Sequence, residues 1–142
     1  MLIADIIRSK GSDVVTAAPT ATVAELTRLL AEHRIGAVVV SGDGRHIEGI
    51  VSERDIVRAL PQQGGEVLDA EVRSLMTTEV VTCTPKQTVV EMAELMTRHR
   101  FRHVPVVEDD ELVAIVSIGD IVKARMALLE DERDQLIEYV QQ

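Results

Sequence analysis

Tryptophan is absent, cysteine occurs once, and Phe101 and Tyr139 are the only aromatic residues among 142. A single thiol cannot close an internal disulfide or build a multi-cysteine metal centre, so Cys83 reads as a small buried apolar side chain in a reducing cytoplasm. Without aromatic faces there is no stacking platform for single-stranded nucleic acid. Positive charge is scarce as well: 15 Lys and Arg against 24 Asp and Glu leave a net charge of −9, which opposes a polyphosphate backbone. A small phosphorylated ligand is still allowed, because a few local cations and a helix N-terminus decide that binding. No apolar run approaches the roughly 20 residues of a spanning helix, and the N-terminal MLIADIIRSK lacks a signal-peptide pattern. The expectation is a cytoplasmic protein with neither nucleic acid nor membrane as partner. Hydrophobic residues make up 46%, so the core has to be aliphatic.

What is present is duplication. GIVSERDIV at Gly49–Val57 is answered by AIVSIGDIV at Ala114–Val122, which moves Ser52 and Asp55 by 65 residues onto Ser117 and Asp120. Upstream, Pro19, Thr22, Val23 and Glu25 recur 66 residues later as Pro85, Thr88, Val89 and Glu91, and His33-Arg34 recurs as His99-Arg100. Order, spacing and chemical type are kept over some fifty residues, which marks two copies of one unit. Each is too small to bury its own apolar surface, so face-to-face packing is expected.

Each copy reads as β-α-β-β-α, a mixed α/β (α+β) class. In the first, Val14–Thr16 reads as a short strand and Thr22-Val-Ala-Glu25 as a capping box opening a helix over Val23–Glu32. The runs Ala37–Val40 and Glu48–Ser52, separated by Ser41-Gly-Asp-Gly44, read as an antiparallel hairpin. A helix from Glu53 to Leu60 then stops at Pro61, and Gln62-Gln-Gly-Gly65 reads as linker. The second copy follows a lead-in at Val72–Met76 that mirrors Leu2–Ile7: strand Val80–Thr82, helix Val89–His99, strand Val104–Val107, acidic turn Glu108–Glu111 and strand Leu112–Ser117. The expected divisions are 1–62, a linker 63–71, 72–125, and a helical extension 126–142. Along Ile118–Val140 the residues Val122, Met126, Leu129, Leu136 and Val140 form a narrow stripe, suited either to packing back on the same chain or to a dimer seam.

Catalytic patterns are weak: there is no Gly-rich phosphate loop with lysine and no His-Glu-x-x-His. His99 and His103 are four apart, but Val104-Pro105 ends the helix before His103, so no metal site and no catalytic residue is expected. The informative motif is Ser-x-x-Asp at a strand-to-helix junction. Taken alone it is a helix cap, with Ser52 on the first N–H groups and Asp55 at the positive end of the dipole. The same placement lets a hydroxyl beside free N–H groups hold phosphate while a carboxylate one turn along accepts both hydrogens of a ribose diol.

With its context, glycine or alanine, then apolar residues, Ser, two variable residues, Asp and Ile-Val, the motif resembles the signature of the cystathionine-β-synthase-type (CBS) domain family. A tandem pair of these domains is called a Bateman module. The resemblance covers Leu2 to Arg125, and Ala114 departs from it by replacing the first glycine. It implies two repeats packed by their sheets about a pseudo-twofold axis, with inter-repeat clefts for adenine nucleotides: AMP, and also NAD, NADH or ATP. Carried over residue by residue, Ser52 and Ser117 help hold phosphate, and Asp55 and Asp120 hold the ribose hydroxyls. The start of each hairpin surrounds the base and phosphate: Ile35, Gly36, Ala37 and Val38 in copy one, and Phe101, Arg102, His103, Val104 and Pro105 in copy two. Arg54, Thr16, Thr82 and Thr84 complete the candidate set. Gly36-Ala37 offers no charge where Arg102-His103 offers a permanent cation and a switchable one, suited to an anionic ligand, so unequal clefts are expected. The resemblance thus implies a stand-alone, non-enzymatic regulatory homodimer with an unidentified protein target. The alternative is a ligand-free interaction module acting through its acidic surface or terminal helix.

Overall fold

The computed structural model describes residues 1–142. Its helices and strands run α1 (Ile3–Lys10), β1 (Thr16–Ala17), α2 (Val23–His33), β2 (Ala37–Val40), β3 (Gly49–Ser52), α3 (Glu53–Gln63), α4 (Val89–His99), β4 (His103–Glu108), β5 (Glu111–Ser117) and α5 (Ile118–Gln141), with 3₁₀ turns at Gly64–Asp69 and Val72–Ser74. The mixed class is as expected, and the order α-β-β-α recurs in both copies.

Two compact bodies form, and neither is one sequence repeat. The first comprises 13–81 with the hairpin tip 108–113; the second comprises 1–12, 82–107 and 114–142. In the first body β1 pairs parallel to β2, and β2 pairs antiparallel to β3 with Ala37 opposite Ser52. Val23, Leu26 and Leu30 of α2, Val38 and Val40 of β2, Val51, Ile56 and Val72 form its core. Ala37 and Val39 are buried on the opposite face of β2, so this strand carries no polar side. In the second body Ile3, Ile6, Val89, Met92, Met96, Val104, Val116 and Ile121 are buried without a polar residue among them.

The lead-ins are exchanged. Glu71, from the second repeat's lead-in, bridges to Thr22, the cap of α2; Leu2, from the first repeat's lead-in, bridges to Thr88, the cap of α4. Backbone bonds fix both: Val23 N–H to the Ala70 carbonyl at 2.9 Å in the first body, and Ile3 N–H to the Gln87 carbonyl at 2.9 Å in the second. Thr22 and Thr88 accept from the N–H groups of Glu25 and Glu91, each at 3.1 Å, so both helices start where the sequence predicts. Both end on an arginine in left-handed backbone, Arg34 (φ 54) and Arg100 (φ 60), a conformation costing about 1 kcal/mol that turns the chain into β2 or β4.

Several expectations are corrected. The first strand is Thr16–Ala17 instead of Val14–Thr16, and its counterpart at Val80–Thr82 shrinks to one parallel bridge, Cys83 to Val106. A strand this short is held by its neighbour's register, which local propensity does not encode. Pro61 does not stop α3, which runs to Gln63; Pro61 and Val57, four residues before it, face solvent, where water can serve the carbonyl that proline leaves unpaired. Gln62-Gln-Gly-Gly65 is the end of α3 and the start of a 3₁₀ turn, anchored by fully buried Val67. The lead-ins are unlike in structure, a two-turn helix at Ile3–Lys10 and a single 3₁₀ turn at Val72–Ser74.

Candidate functional site

Both Ser-x-x-Asp motifs lie at a strand-to-helix junction, in the same local geometry. At β3–α3, Ser52 donates its N–H (2.8 Å) and its hydroxyl (3.1 Å) to Asp55 Oδ2. At β5–α5, Ser117 donates the same two groups to Asp120 Oδ2 at 2.8 and 3.0 Å, and the Asp120 N–H returns a bond to Ser117 Oγ at 3.2 Å. The serine bonds to both carboxylates, and the Lys10 bond to Asp120, fall on Oδ2, which leaves Oδ1 as a further acceptor at a half-buried position. The helix dipole adds positive potential at each junction.

A second backbone contact brings the hairpin start to the helix start. Glu53 N–H donates to the Gly36 carbonyl at 2.9 Å, and Ile118 N–H donates to the Arg102 carbonyl at 2.8 Å. Ile35 and Gly36 are thereby held beside Ser52, half-buried, and line a cavity of about 580 Å³ with Arg34, Glu53, Ile56 and Val57. Ala37 and Val38 are buried at 5% and 1% exposure, so they can offer only backbone to a ligand. In the second copy Arg102 is exposed, Phe101 and His103 are half-buried, and Val104 and Pro105 are buried. Phe101 stacks on His99, ring centroids 5.5 Å apart. Thr16 sits half-buried on β1 opposite Val39; Thr82 and Thr84 are exposed, as is Arg54. Cys83, between the two threonines, is 2% exposed, and burial pushes its thiol up to about 11. No three His, Cys, Asp or Glu side chains converge as a metal site.

The two junctions differ in what approaches them. In the first body the segment after Val72–Ser74 crosses β3: Ile50 N–H donates to the Thr77 carbonyl and Thr77 N–H to the Ile50 carbonyl, both at 2.9 Å. A Cβ on Gly49 would meet Met76 Sδ at 2.6 Å and the Thr77 carbonyl oxygen at 2.8 Å, so glycine is required there. In the second body the equivalent carbonyl, that of Ile115, is taken by the ammonium of Lys10 at 3.0 Å. Ala114 can therefore stand where Gly49 stands in the first copy, which accounts for the one departure from the repeated motif.

Lys10 also donates to Asp120 Oδ2 at 2.7 Å. Burial pushes the Asp120 carboxyl up, but the ammonium and the Ser117 N–H and hydroxyl outweigh it and hold it below the ordinary carboxylate value. Asp120, Lys10, Ser9, Asp5, Lys123 and Ala124 line a cavity of about 210 Å³. Sequence reasoning placed the asymmetry in Arg102 and His103 and missed Lys10, which lies 110 residues from its partner in a stretch with no motif.

Comparison with known proteins places these features in a wider set. The CBS domain family model matches residues 3–62 and 72–127. The mitochondrial CBS domain-containing protein CBSX3 of Arabidopsis thaliana is 33% identical over 98% of this chain and 71% of its own length. Among solved structures, the CBS-domain containing protein ATU1752 from Agrobacterium tumefaciens is 45% identical with a TM-score of 0.84, covering 88% of this chain and 99% of that one. The CBS domain pair of protein MJ0100, in complex with 5′-methylthioadenosine and S-adenosyl-L-methionine, is 26% identical with a TM-score of 0.77, over 89% of this chain and 97% of that one.

Proposed function

The chain belongs to the CBS domain family, and on that premise we propose that it is a regulatory module that binds adenine nucleotides, AMP most simply and also NAD or ATP, at its Ser-x-x-Asp junctions. The observation that carries this reading is the duplication of one geometry: a carboxylate with a spare oxygen, a serine at a helix N-terminus and a hairpin start tied to the same turn, in both copies. That the MJ0100 pair holds two adenosyl ligands supports the ligand class. A ribose diol would bond Oδ1 of Asp55 or Asp120 with one hydroxyl and share Oδ2 with the other, and phosphate would lie toward Ser52 or Ser117 and, in the second copy, Arg102. Binding would regulate by favouring one arrangement of the chain, by no more than its difference in affinity between arrangements.

Titration calorimetry with AMP, ATP and NAD tests this. Asp55→Ala and Asp120→Ala should each weaken AMP about 10- to 100-fold at the altered junction, the worth of a charge-assisted hydrogen bond, while wild type returns every nucleotide chemically unchanged. If the variants lose only stability and keep AMP affinity, the motifs are caps alone. No heat with any of the three nucleotides would sink the reading.

One further observation favours self-association. Val122, Met126, Leu129, Leu136 and Val140 on α5 are 50–80% exposed, so the stripe is not packed back on its own chain. We read it as the seam of a homodimer, to be checked by sedimentation of a chain ending at Arg125.

A further inference from the structure

We propose that Lys10 makes the Asp120 junction selective for anionic adenosine ligands over neutral ones. This rests on the reading that Asp120 holds a ribose diol, and it adds a specificity-determining residue from α1. The ammonium sits between Asp120 Oδ2 (2.7 Å) and the Ile115 carbonyl (3.0 Å), beside the carboxylate oxygen that also accepts from Ser117. Asp120 is the more buried partner, with its side chain 23% exposed against 38% for Lys10, so the pair is only partly screened by water.

A neutral nucleoside that sets one hydroxyl of its diol on Asp120 Oδ1 and the other on Oδ2 has to share Oδ2 with the ammonium, and it gives Lys10 nothing in return. The pull of the carboxylate on Lys10 is then divided with the ribose hydroxyl, and only the Ile115 carbonyl is left wholly to the ammonium. A phosphorylated ligand brings its own anion into reach of a four-methylene arm, so the ammonium exchanges carboxylate for phosphate and stays paired. Lys123 and Asp5 line the same cavity with opposite charges, so the discrimination rests on Lys10.

The Asp55 junction is an internal control. The Ile50 carbonyl, equivalent to that of Ile115, is already served by the Thr77 N–H, and no lysine or arginine is paired with Asp55. Discrimination of this origin is therefore confined to the second copy, and it arises from a residue outside that copy's own motif.

The test uses the full chain carrying Asp55→Ala, which isolates the Asp120 junction, with AMP and adenosine as probes in calorimetry. The preference for AMP over adenosine should fall about tenfold when Lys10→Met is added, with adenosine gaining affinity, and Lys10→Arg should keep it. Melting temperatures check that each variant is folded. A fall of less than threefold overturns the proposal and leaves Lys10 as a partner for the Ile115 carbonyl. AMP binding to wild type but not to the Asp55→Ala chain also overturns it, while leaving the first junction as a nucleotide site. If wild type binds neither probe, the underlying nucleotide reading fails and the inference goes with it.

Discussion

Gly49 and Lys10 show how much hangs on single positions. Gly49→Ala should destabilise the protein by about 1–3 kcal/mol, since Thr77, whose carbonyl oxygen the new Cβ would strike at 2.8 Å, is held to Ile50 by a hydrogen bond at its carbonyl and another at its N–H and cannot retreat cheaply. Urea unfolding measures this, and a change under 0.5 kcal/mol would show that the crossing segment yields. Ala114, at the matching position in the second copy, has no backbone partner of that kind, because a lysine side chain does the corresponding work on Ile115. The Ser52–Asp55 and Ser117–Asp120 junctions were legible in the sequence because the same pair recurs before an apolar helix in both copies, where one copy alone reads as a cap. Lys10 was not legible, because nothing near it marks a contact 110 residues away.

At the scale of elements, α2 and α4 begin and end at equivalent positions, since Thr22 and Thr88 cap them and an αL arginine closes them. Capping is local chemistry and reads directly from sequence. The short strands are different: Thr16–Ala17 and the bridge at Cys83 exist because β2 and β4 offer an edge at that height, and the apolar runs before them extend past the paired residues. α5 was legible as a long helix, but its stripe was compatible with two fates. The exposure of Leu136 and Val140, 65% and 80%, excludes folding back. Removing 126–142 should therefore halve the mass in solution while leaving the melting temperature of each body within a few degrees. Unchanged mass would place any dimer contact elsewhere.

For the whole molecule, the decisive feature is the exchange of lead-ins between repeats. The body built on the second repeat takes α1 from the chain's start, with Ile3 fully buried and Ile6 nearly so. Deleting 1–12 should cost that body about 3–6 kcal/mol, the burial of two isoleucine side chains, with the first body less affected. Faster amide hydrogen exchange in 82–107 and 114–142 than in 13–81 would report it; an equal change in both, or in neither, would count against that role for α1. Cutting the chain at the expected repeat boundary near 62 would by the same reasoning separate each body from its lead-in.

The duplication, the element order and the two helix-start motifs were fixed by the sequence alone, because periodicity, capping and β-branched runs act over a few residues and leave a local trace. Tertiary structure alone decided which lead-in serves which body, why glycine is needed at 49 and not at 114, and that an ammonium stands at Asp120 and none at Asp55. Those outcomes depend on backbone and side chains meeting from opposite ends of the chain, and the energy of such a contact is set by where the fold brings them together, not by which residues are neighbours in sequence.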